Sequence, residues 1–190
     1  MQLQEAIKKR KSSRKFSEKK IELSAIIRAI QNINLSPCAG NYYNLRFIIV
    51  QKESTLDKIA EASQQDFIKK ATAAIAVVSD REKVKKMYDY NDKGFGAQQA
   101  GAAIQTILLS LTEANIANCW VGFFDDDQVN DALGVKGQTV EAIIAVGLPS
   151  KDLSQKKKSE TKMAIEDIIF FEKYGKSKTE PQPRVRGEWT

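Results

Sequence analysis

The chain of 190 residues has 30 Lys and Arg against 24 Asp and Glu, a formal net charge of +6, and no histidine. The absence of histidine excludes Ser-His and Cys-His catalysis and His-ligated metal sites, so an enzyme with this sequence needs other side chains or a cofactor for its chemistry. The positive charge favours an anionic partner, either a phosphorylated small molecule or a nucleic acid. Because no apolar run reaches membrane-spanning length and the two cysteines are far apart, we expect a cytoplasmic protein with reduced thiols.

Periodic patterns in the first half of the chain predict three helices and two strands. Apolar residues spaced three and four positions apart indicate helices over residues 2–9, 22–33 and 55–68, and Ser54 is expected to cap the third. Apolar runs predict strands at Leu45–Gln51 and Thr72–Ser79. The second run is nearly continuous, which is typical of a central strand that is covered on both sides.

The second half begins with a helix that is rich in small residues. After a polar segment at 80–93, it is predicted over residues 92–114, and its glycines predict close packing against another helix, which we expect at a subunit interface. Strands are expected at Asn118–Val121 and Thr139–Gly147. Between them, three aspartates precede a short helix that ends at Gly134, and we interpret them as N-cap and first-turn residues, with no metal site.

The remaining segments are a hydrophilic loop at 150–162, an apolar stretch at 165–171 and a polar tail. Helices interleave with three or four strands and must cover both faces of a small sheet, so the fold class is an α/β or α+β sandwich. We expect one domain over residues 1–175 and a C-terminal tail at 176–190.

A basic segment near the N-terminus is the first candidate site. In extended chain, residues at i, i+2 and i+4 point the same way, so Arg10, Ser12 and Arg14 would converge on one point. Two guanidinium groups and a hydroxyl suit a phosphate or another polyanion. The alternative is a solvated basic face, which is common for a lone run of charges.

A loop of small residues at 36–41 is the second candidate. Gly40 and Asn41 tolerate positive φ and let another group approach the backbone, although an ordinary helix-to-strand connection would have the same composition. Near the third strand we expect Trp120 to be a core aromatic and Cys119 a small core residue.

Five segments occur in an order and spacing that are specific together. They are R-K-S-S-R-K-F at 10–16, S-P-C-A-G-N at 36–41 with F-I-I-V at 47–50, N-C-W-V-G at 118–122, A-I-I-A-V-G-L-P at 142–149, and I-E-D-I-I-F-F-E-K-Y-G at 165–175. The chain therefore resembles the nitroreductase-like flavoproteins over residues 3–175. The resemblance implies a nitroreductase-like α+β fold, with a small, mostly antiparallel sheet flanked by helices and a long central helix at a dimer interface.

The resemblance also implies a function and a set of binding residues. The expected activity is FMN-dependent transfer of hydride from NADH or NADPH through the flavin to a nitroaromatic, quinone or similar acceptor, in ping-pong fashion, with no catalytic side chain and no metal. FMN would lie at both interface sites of a homodimer. The implied cofactor-binding residues are Arg10, Lys11, Ser12, Arg14, Pro37, Cys38, Ala39, Asn41, Trp120, Val121, Gly122 and Lys162.

Within this set, the implied roles differ along the cofactor. The basic segment and Lys162 would hold the phosphate and ribityl chain, the loop at 36–41 would reach the flavin from the other subunit, and residues 120–122 would run beside the isoalloxazine. The sequence departs from the family pattern at residues 43–45, where Tyr-Asn-Leu replaces Gln-Pro-Trp, and at Cys38, which replaces a frequent serine.

Two alternatives remain open from the sequence. A family member with other flavin chemistry, such as dehalogenation or flavin breakdown, would carry the same motifs. A basic nucleic-acid-binding protein would explain the charge, but aromatic residues do not interleave with the bases and no nucleic-acid motif is present. We therefore expect no nucleic-acid partner and no membrane partner.

Overall fold

Four antiparallel strands form the central sheet of the protein. The computed structural model describes residues 1–88, 92–150, 164 and 168–176. The strands are β1 (Leu45–Val50), β2 (Ala73–Ser79), β3 (Ala117–Val121) and β4 (Thr139–Gly147). Their order is β1-β2-β4-β3, and all three neighbouring pairs are antiparallel, which confirms the predicted α+β class.

Six helices surround this sheet in the described part of the chain. They are α1 (Leu3–Lys9), α2 (Leu23–Gln31), α3 (Glu53–Ser63), α4 (Arg81–Tyr88), α5 (Phe95–Glu113) and α6 (Asp126–Leu133). No helix of the described residues is both long and apolar enough to cross a bilayer.

Both faces of the sheet are buried, because β2 and β4 alternate two sets of apolar side chains. Ile75 and Val77 pack with α2 and α5, while Ala74 and Ala76 face the layer that contains α3 and α6. All seven residues of β2 are buried, as expected for a central strand. The longest helix, α5, contributes eight buried residues and is central, as predicted.

The pairing of the two central strands, β2 and β4, shifts by one residue and places a carboxylate near the end of β2. The shift falls between Val77 and Val78, so Glu141 has no partner across the sheet. Its carboxylate accepts hydrogen bonds from the Ser79 hydroxyl and from Nε of Arg81, the latter at 2.7 Å. The side chain of Glu141 is only 6% exposed.

Three local predictions were wrong. The third helix begins at Glu53 and has Lys52 at its N-cap, so Ser54 lies in the first turn and does not cap it. The helix also ends at Ser63, because Gln64 adopts a left-handed conformation with φ of 54°, and a 3₁₀ turn follows at Asp66–Lys70. Trp120 is not a core residue, since it is 42% exposed on the edge strand β3.

The chain divides into two compact units, Met1–Asp152 and Leu153–Thr190. In the second unit, residues 168–176 form turns and irregular chain, so the described part of the predicted apolar stretch is neither helix nor strand. The predicted loop at 150–162 and the tail lie almost wholly outside the described residues. The domain boundary at residue 175 stays a prediction.

Candidate functional site

The basic segment runs beside the edge strand β3. Arg10 ends α1 and turns into extended chain with ψ of 122°. Ser12 then forms a parallel bridge with Asn118, and the amide of Ser13 donates to the Asn118 carbonyl at 2.8 Å. The extended conformation expected for this segment is therefore present, and its bonds to the sheet impose it.

A second pair of backbone contacts fixes the far end of the segment. Phe16 forms an antiparallel bridge with Pro149, and the amide of Ser17 donates to the Leu148 carbonyl at 2.9 Å. The residues between these contacts therefore have little freedom to move along the sheet edge. This constraint matters because Arg14 lies between the two anchors.

Arg10, Ser12 and Arg14 alternate along the extended segment, and all three lie near the thiol of Cys119. Burial raises the pKa of Cys119, while Arg14, a hydrogen bond from Ser12 and Arg10 each oppose that rise. Both guanidinium groups are thus near enough to one thiol to act on it electrostatically. Cys119 itself is 2% exposed, which confirms that it is a core residue.

The two guanidinium groups have no acidic partner in the part of the chain that the structure describes. None of the ion pairs among those residues involves Arg10 or Arg14. Arg14 lies over the ring of Phe67, with Cζ 5.8 Å from the ring centroid. Two unpaired guanidinium groups beside a hydroxyl leave donor capacity for an anion.

Lys11 belongs to the opposite side of the segment. With Lys9 and Ser13 it lines a small cleft of about 140 Å³ that also includes Asn118. The alternation that gathers Arg10, Ser12 and Arg14 therefore separates Lys11 from them, and the structure does not bring Lys11 to the same point.

The second candidate, the loop at 36–41, packs against the N-terminal half of α5. The amide of Ala39 donates to Oε1 of Gln99 at 3.4 Å, and Nε2 of Gln99 donates to the Tyr42 carbonyl at 3.3 Å. Gly40 and Asn41 have φ of 57° and 55°, which confirms the positive φ expected of this loop. Pro37 and Cys38 precede this turn, and a hydrogen bond that the Tyr43 hydroxyl donates to Cys38 raises the pKa of Tyr43.

Within one chain, the two candidate regions contact different parts of α5. The loop contacts Gln99, whereas Asn118 beside the basic segment donates to Oγ1 of Thr112 at 3.2 Å. Gln99 and Thr112 are about 20 Å apart along the helix axis at a rise of about 1.5 Å per residue. The chain therefore holds its two candidate regions apart along its longest helix.

Residues 120–122 form the end of β3 and the turn after it. Val121 is buried on the α3 and α6 side, while Trp120 points to the other face. Gly122 lies beside the indole, since a Cβ there would be 3.5 Å from Nε1 of Trp120. Lys162 lies outside the described residues.

The sequence matches the family described as "Nitroreductase family" over residues 7–82 and 61–148. The chain belongs to the nitroreductase family. A curated relative from Archaeoglobus fulgidus, provisionally named an NADH dehydrogenase/NAD(P)H nitroreductase, is 28% identical over 149 residues, which cover 75% of this chain and 83% of the relative. A protein with the same name from Methanothermobacter thermautotrophicus is 29% identical over 127 residues, or 65% of this chain and 62% of that protein.

Solved structures share the nitroreductase fold with this chain. A nitroreductase family protein from Clostridium difficile 630 has a TM-score of 0.78 at 22% identity and covers 91% of this chain and 99% of its own. An FMN-dependent nitroreductase from C. difficile R20291 has a TM-score of 0.74 at 21% identity, covering 89% and 98%. The NADPH:FMN oxidoreductase of Vibrio harveyi, solved with NAD+, has a TM-score of 0.77 at 16% identity, covering 90% and 77%.

Two positioning residues of this nitroreductase-family chain escaped the sequence analysis. Asn118 is 2% exposed, and its Nδ2 donates to the carbonyls of Leu108 and Ile116 as well as to Thr112. Gln99 is 5% exposed and joins the loop to α5. The sequence feature that could have identified both residues is a polar side chain within an apolar stretch, because a buried polar side chain usually has a hydrogen-bonding role.

The aspartates after β3 act as helix-capping residues. Asp125 is the N-cap of α6, and its carboxylate accepts from the amide of Gln128 at 2.9 Å, which confirms the cap prediction. No group of metal-ligating side chains occurs among the residues that the structure describes.

Proposed function

We propose that this chain is an FMN-dependent oxidoreductase that takes hydride from NADH or NADPH and passes it, through the bound flavin, to a nitroaromatic, quinone or similar acceptor in ping-pong fashion. Family membership supports the class of reaction, as do the names of both curated relatives. Two structures with the same fold are described as FMN-dependent or as acting on FMN.

The observation that carries the proposal is the pair of guanidinium groups beside Ser12, which have no acidic partner among the described residues. FMN ends in a phosphate dianion, and arginine binds phosphate through two parallel N–H donors. Arg10 and Arg14 both lie near enough to Cys119 to oppose the rise in its pKa. The residues present therefore fit the anionic end of the cofactor.

When it is bound, flavin supplies the hydride-transfer chemistry, and the protein provides binding, orientation and electrostatics. A chain without histidine can therefore support this reaction. In our proposal Ser12 donates to the phosphate or ribityl chain. Trp120, Val121 and Gly122 border the ring system. Gly122 offers backbone without a side chain there, and Trp120 shields that edge from water.

The cofactor site is completed by a second copy of the chain in our proposal. The loop at 36–41 and the basic segment lie at different places along α5, so Pro37, Cys38, Ala39 and Asn41 of the partner subunit would contact the flavin. Exposed apolar side chains on the first two helices support a homodimer, because such a surface usually marks an interface. These are Leu3 at 67%, Ile7 at 48%, and Leu23 and Ile27 at 41% each.

The phosphate assignment is tested by titrating FMN into Arg10→Ala and Arg14→Ala. Each variant should bind FMN about 10- to 100-fold more weakly, since a hydrogen bond to a charged group contributes about 1.5–3 kcal/mol. Lys8→Ala is the matched control, because it removes one positive charge from the same exposed stretch. Parent-like FMN affinity in both arginine variants would show that the phosphate binds elsewhere.

The dimer and the acceptor need separate measurements. Sedimentation should show one flavin per chain in a dimer, and a flavin-loaded monomer would contradict the shared site. Anaerobic addition of NADH or NADPH should bleach the flavin absorbance, and an acceptor should restore it in a second step. An acceptor that loses halide, or a flavin that is itself degraded, would instead identify the alternative chemistries.

We also place the activity in the cytoplasm and in one domain over residues 1–175, followed by a tail. Both cysteines are free, as expected in a reducing compartment. Mild proteolysis should release the tail and leave a fragment that ends near residue 175, and cleavage near residue 152 with loss of flavin would move the boundary.

A further inference from the structure

A second cleft lies at the other end of the sheet, on the face that carries α6. It has a volume of about 340 Å³. Its floor is formed by Ile48 of β1 and Val78 of β2, and its wall by Leu133 and Val135 around the end of α6. None of these residues belongs to the proposed flavin site.

Polar groups enter this apolar cleft from β1 and from the end of β2. Arg46 and Ile48 are spaced by two in β1, so they share the face of the strand that borders the cleft. The other polar residues of the lining are Tyr42, Asn44, Ser79, Asp80 and Gln138. The combination of an apolar floor with a few converging polar groups is typical of small-molecule sites.

Asn44 is the unusual member of this lining. It is 2% exposed, and neither its amide nitrogen nor its amide oxygen has a hydrogen-bond partner among the described residues. Its Nδ2 lies near Gly96 of α5, where an added Cβ would be 3.4 Å away. Both amide atoms are inaccessible to solvent and Nδ2 lies against α5, so the amide of Asn44 packs behind the lining and offers no contact to a ligand in the cleft.

Arg46 supplies the charge. Its Nη1 donates to the carbonyl of Leu45 at 2.7 Å, and no other nitrogen of the guanidinium has a protein partner within the described residues. Lys83 is close enough for Arg46 to act on its pKa, and its Nζ lies 4.5 Å from the centre of the Tyr42 ring. Arg46 therefore brings a positive charge to the lining of the cleft, and Lys83 lies beside Tyr42, another lining residue.

The carboxylate of Asp80 restricts which anion fits. It lines the same cleft, and its Oδ1 already accepts from the amide of Lys83 at 3.0 Å. Asp80 repels a dianion such as phosphate more strongly than a monoanion, so a single carboxylate paired with Arg46 is the better fit. We propose that this cleft binds a small carboxylic acid as its anion, with the carboxylate on Arg46 and an aliphatic body against Ile48, Val78 and Leu133.

Calorimetry with hexanoate tests the proposal on the full-length protein as purified, with its cofactor bound. Hexanoate should bind saturably and about tenfold more tightly than hexanamide, which has the same body without the charge. Arg46→Gln should remove this preference, while Lys58→Gln, an equal charge change on α3, should leave it unchanged.

Nuclear magnetic resonance locates the bound probe. With isoleucine δ1-methyl labelling, hexanoate should shift the signal of Ile48, which lines the cleft. The assignment would be overturned by any one of four results. They are unsaturable binding, equal binding of hexanamide, an unchanged affinity for hexanoate in Arg46→Gln, or an Ile48 signal that does not shift. If Arg46→Gln keeps the flavin spectrum of the parent, a loss of hexanoate binding reflects the cleft and not a loss of the proposed flavin site.

Discussion

Gly147 at the end of β4 is the position where one added methyl group should do the most damage to the candidate site. A Cβ there would lie 2.5, 2.7 and 2.8 Å from Cδ1, Cγ and Cβ of Phe16. These separations are far shorter than a carbon–carbon contact, so Gly147→Ala must displace Phe16. Because Phe16 follows Arg14 by two residues, the displacement should also move that guanidinium group.

The magnitude follows from the cost of overpacking. Extra methyl groups in a well-packed place cost about 1–3 kcal/mol. For a chain of this size each kcal/mol lowers Tm by about 2–4 °C, so Gly147→Ala should lower Tm by about 2–12 °C. Phe16 also packs near Phe67, with ring centroids 6.4 Å apart, so the loss would include part of that contact.

A double-mutant cycle with Phe16→Gly separates this clash from other effects. Glycine is needed at position 16, since Cβ of Phe16 is itself one of the close atoms. In the Phe16→Gly background, Gly147→Ala should become neutral or stabilising by up to about 1 kcal/mol, because alanine in a strand loses less entropy than glycine. Thermal unfolding followed by circular dichroism measures all four proteins, and equal costs in the two backgrounds would refute the reasoning.

Three further predictions concern thiols, a buried acid and a helix cap. Iodoacetamide should label Cys38 well before Cys119, as read by mass spectrometry, because burial both shields Cys119 and raises its pKa. Because that pKa is raised, the contribution of Cys119 to the free energy of unfolding is complete at pH values below the pKa of the unfolded thiol. It is lost as the pH rises through the pKa of the folded thiol. Arg81→Ala should lower the free energy of unfolding by about 1–3 kcal/mol in urea, since it removes the charged partner of the buried Glu141. Asp125→Ala should cost about 1 kcal/mol in the same assay, and no loss would mean that the cap bond is not formed in solution.

Elements defined by their own residues could be predicted from the sequence. The strand Thr139–Gly147 was predicted with the observed bounds. The run that forms β2 was recognised because a nearly continuous apolar strand is typical of the centre of a sheet covered on both faces. The cap at Asp125 and the left-handed Gly134 were likewise local signals.

The wrong predictions concern local structure and burial that depend on residues distant in the sequence. Gln64 ends α3 with positive φ, although glutamine has no intrinsic preference for that conformation. Trp120 was expected inside because it is large and apolar, but it lies on an edge strand whose outer side has no neighbouring strand among the described residues. No pattern within five or ten residues contains the order of strands in a sheet.

The candidate site illustrates both situations at once. Sequence spacing predicted that Arg10, Ser12 and Arg14 would point the same way if the chain were extended, but it could not supply the reason for extension. The structure gives that reason: Ser13 bonds to β3 and Ser17 to the chain just after β4, so the segment is held straight by two strands that lie far away in sequence. The direction of the guanidinium groups is therefore a property of the sheet, and substitutions in β4 should alter anion binding without removing any charge.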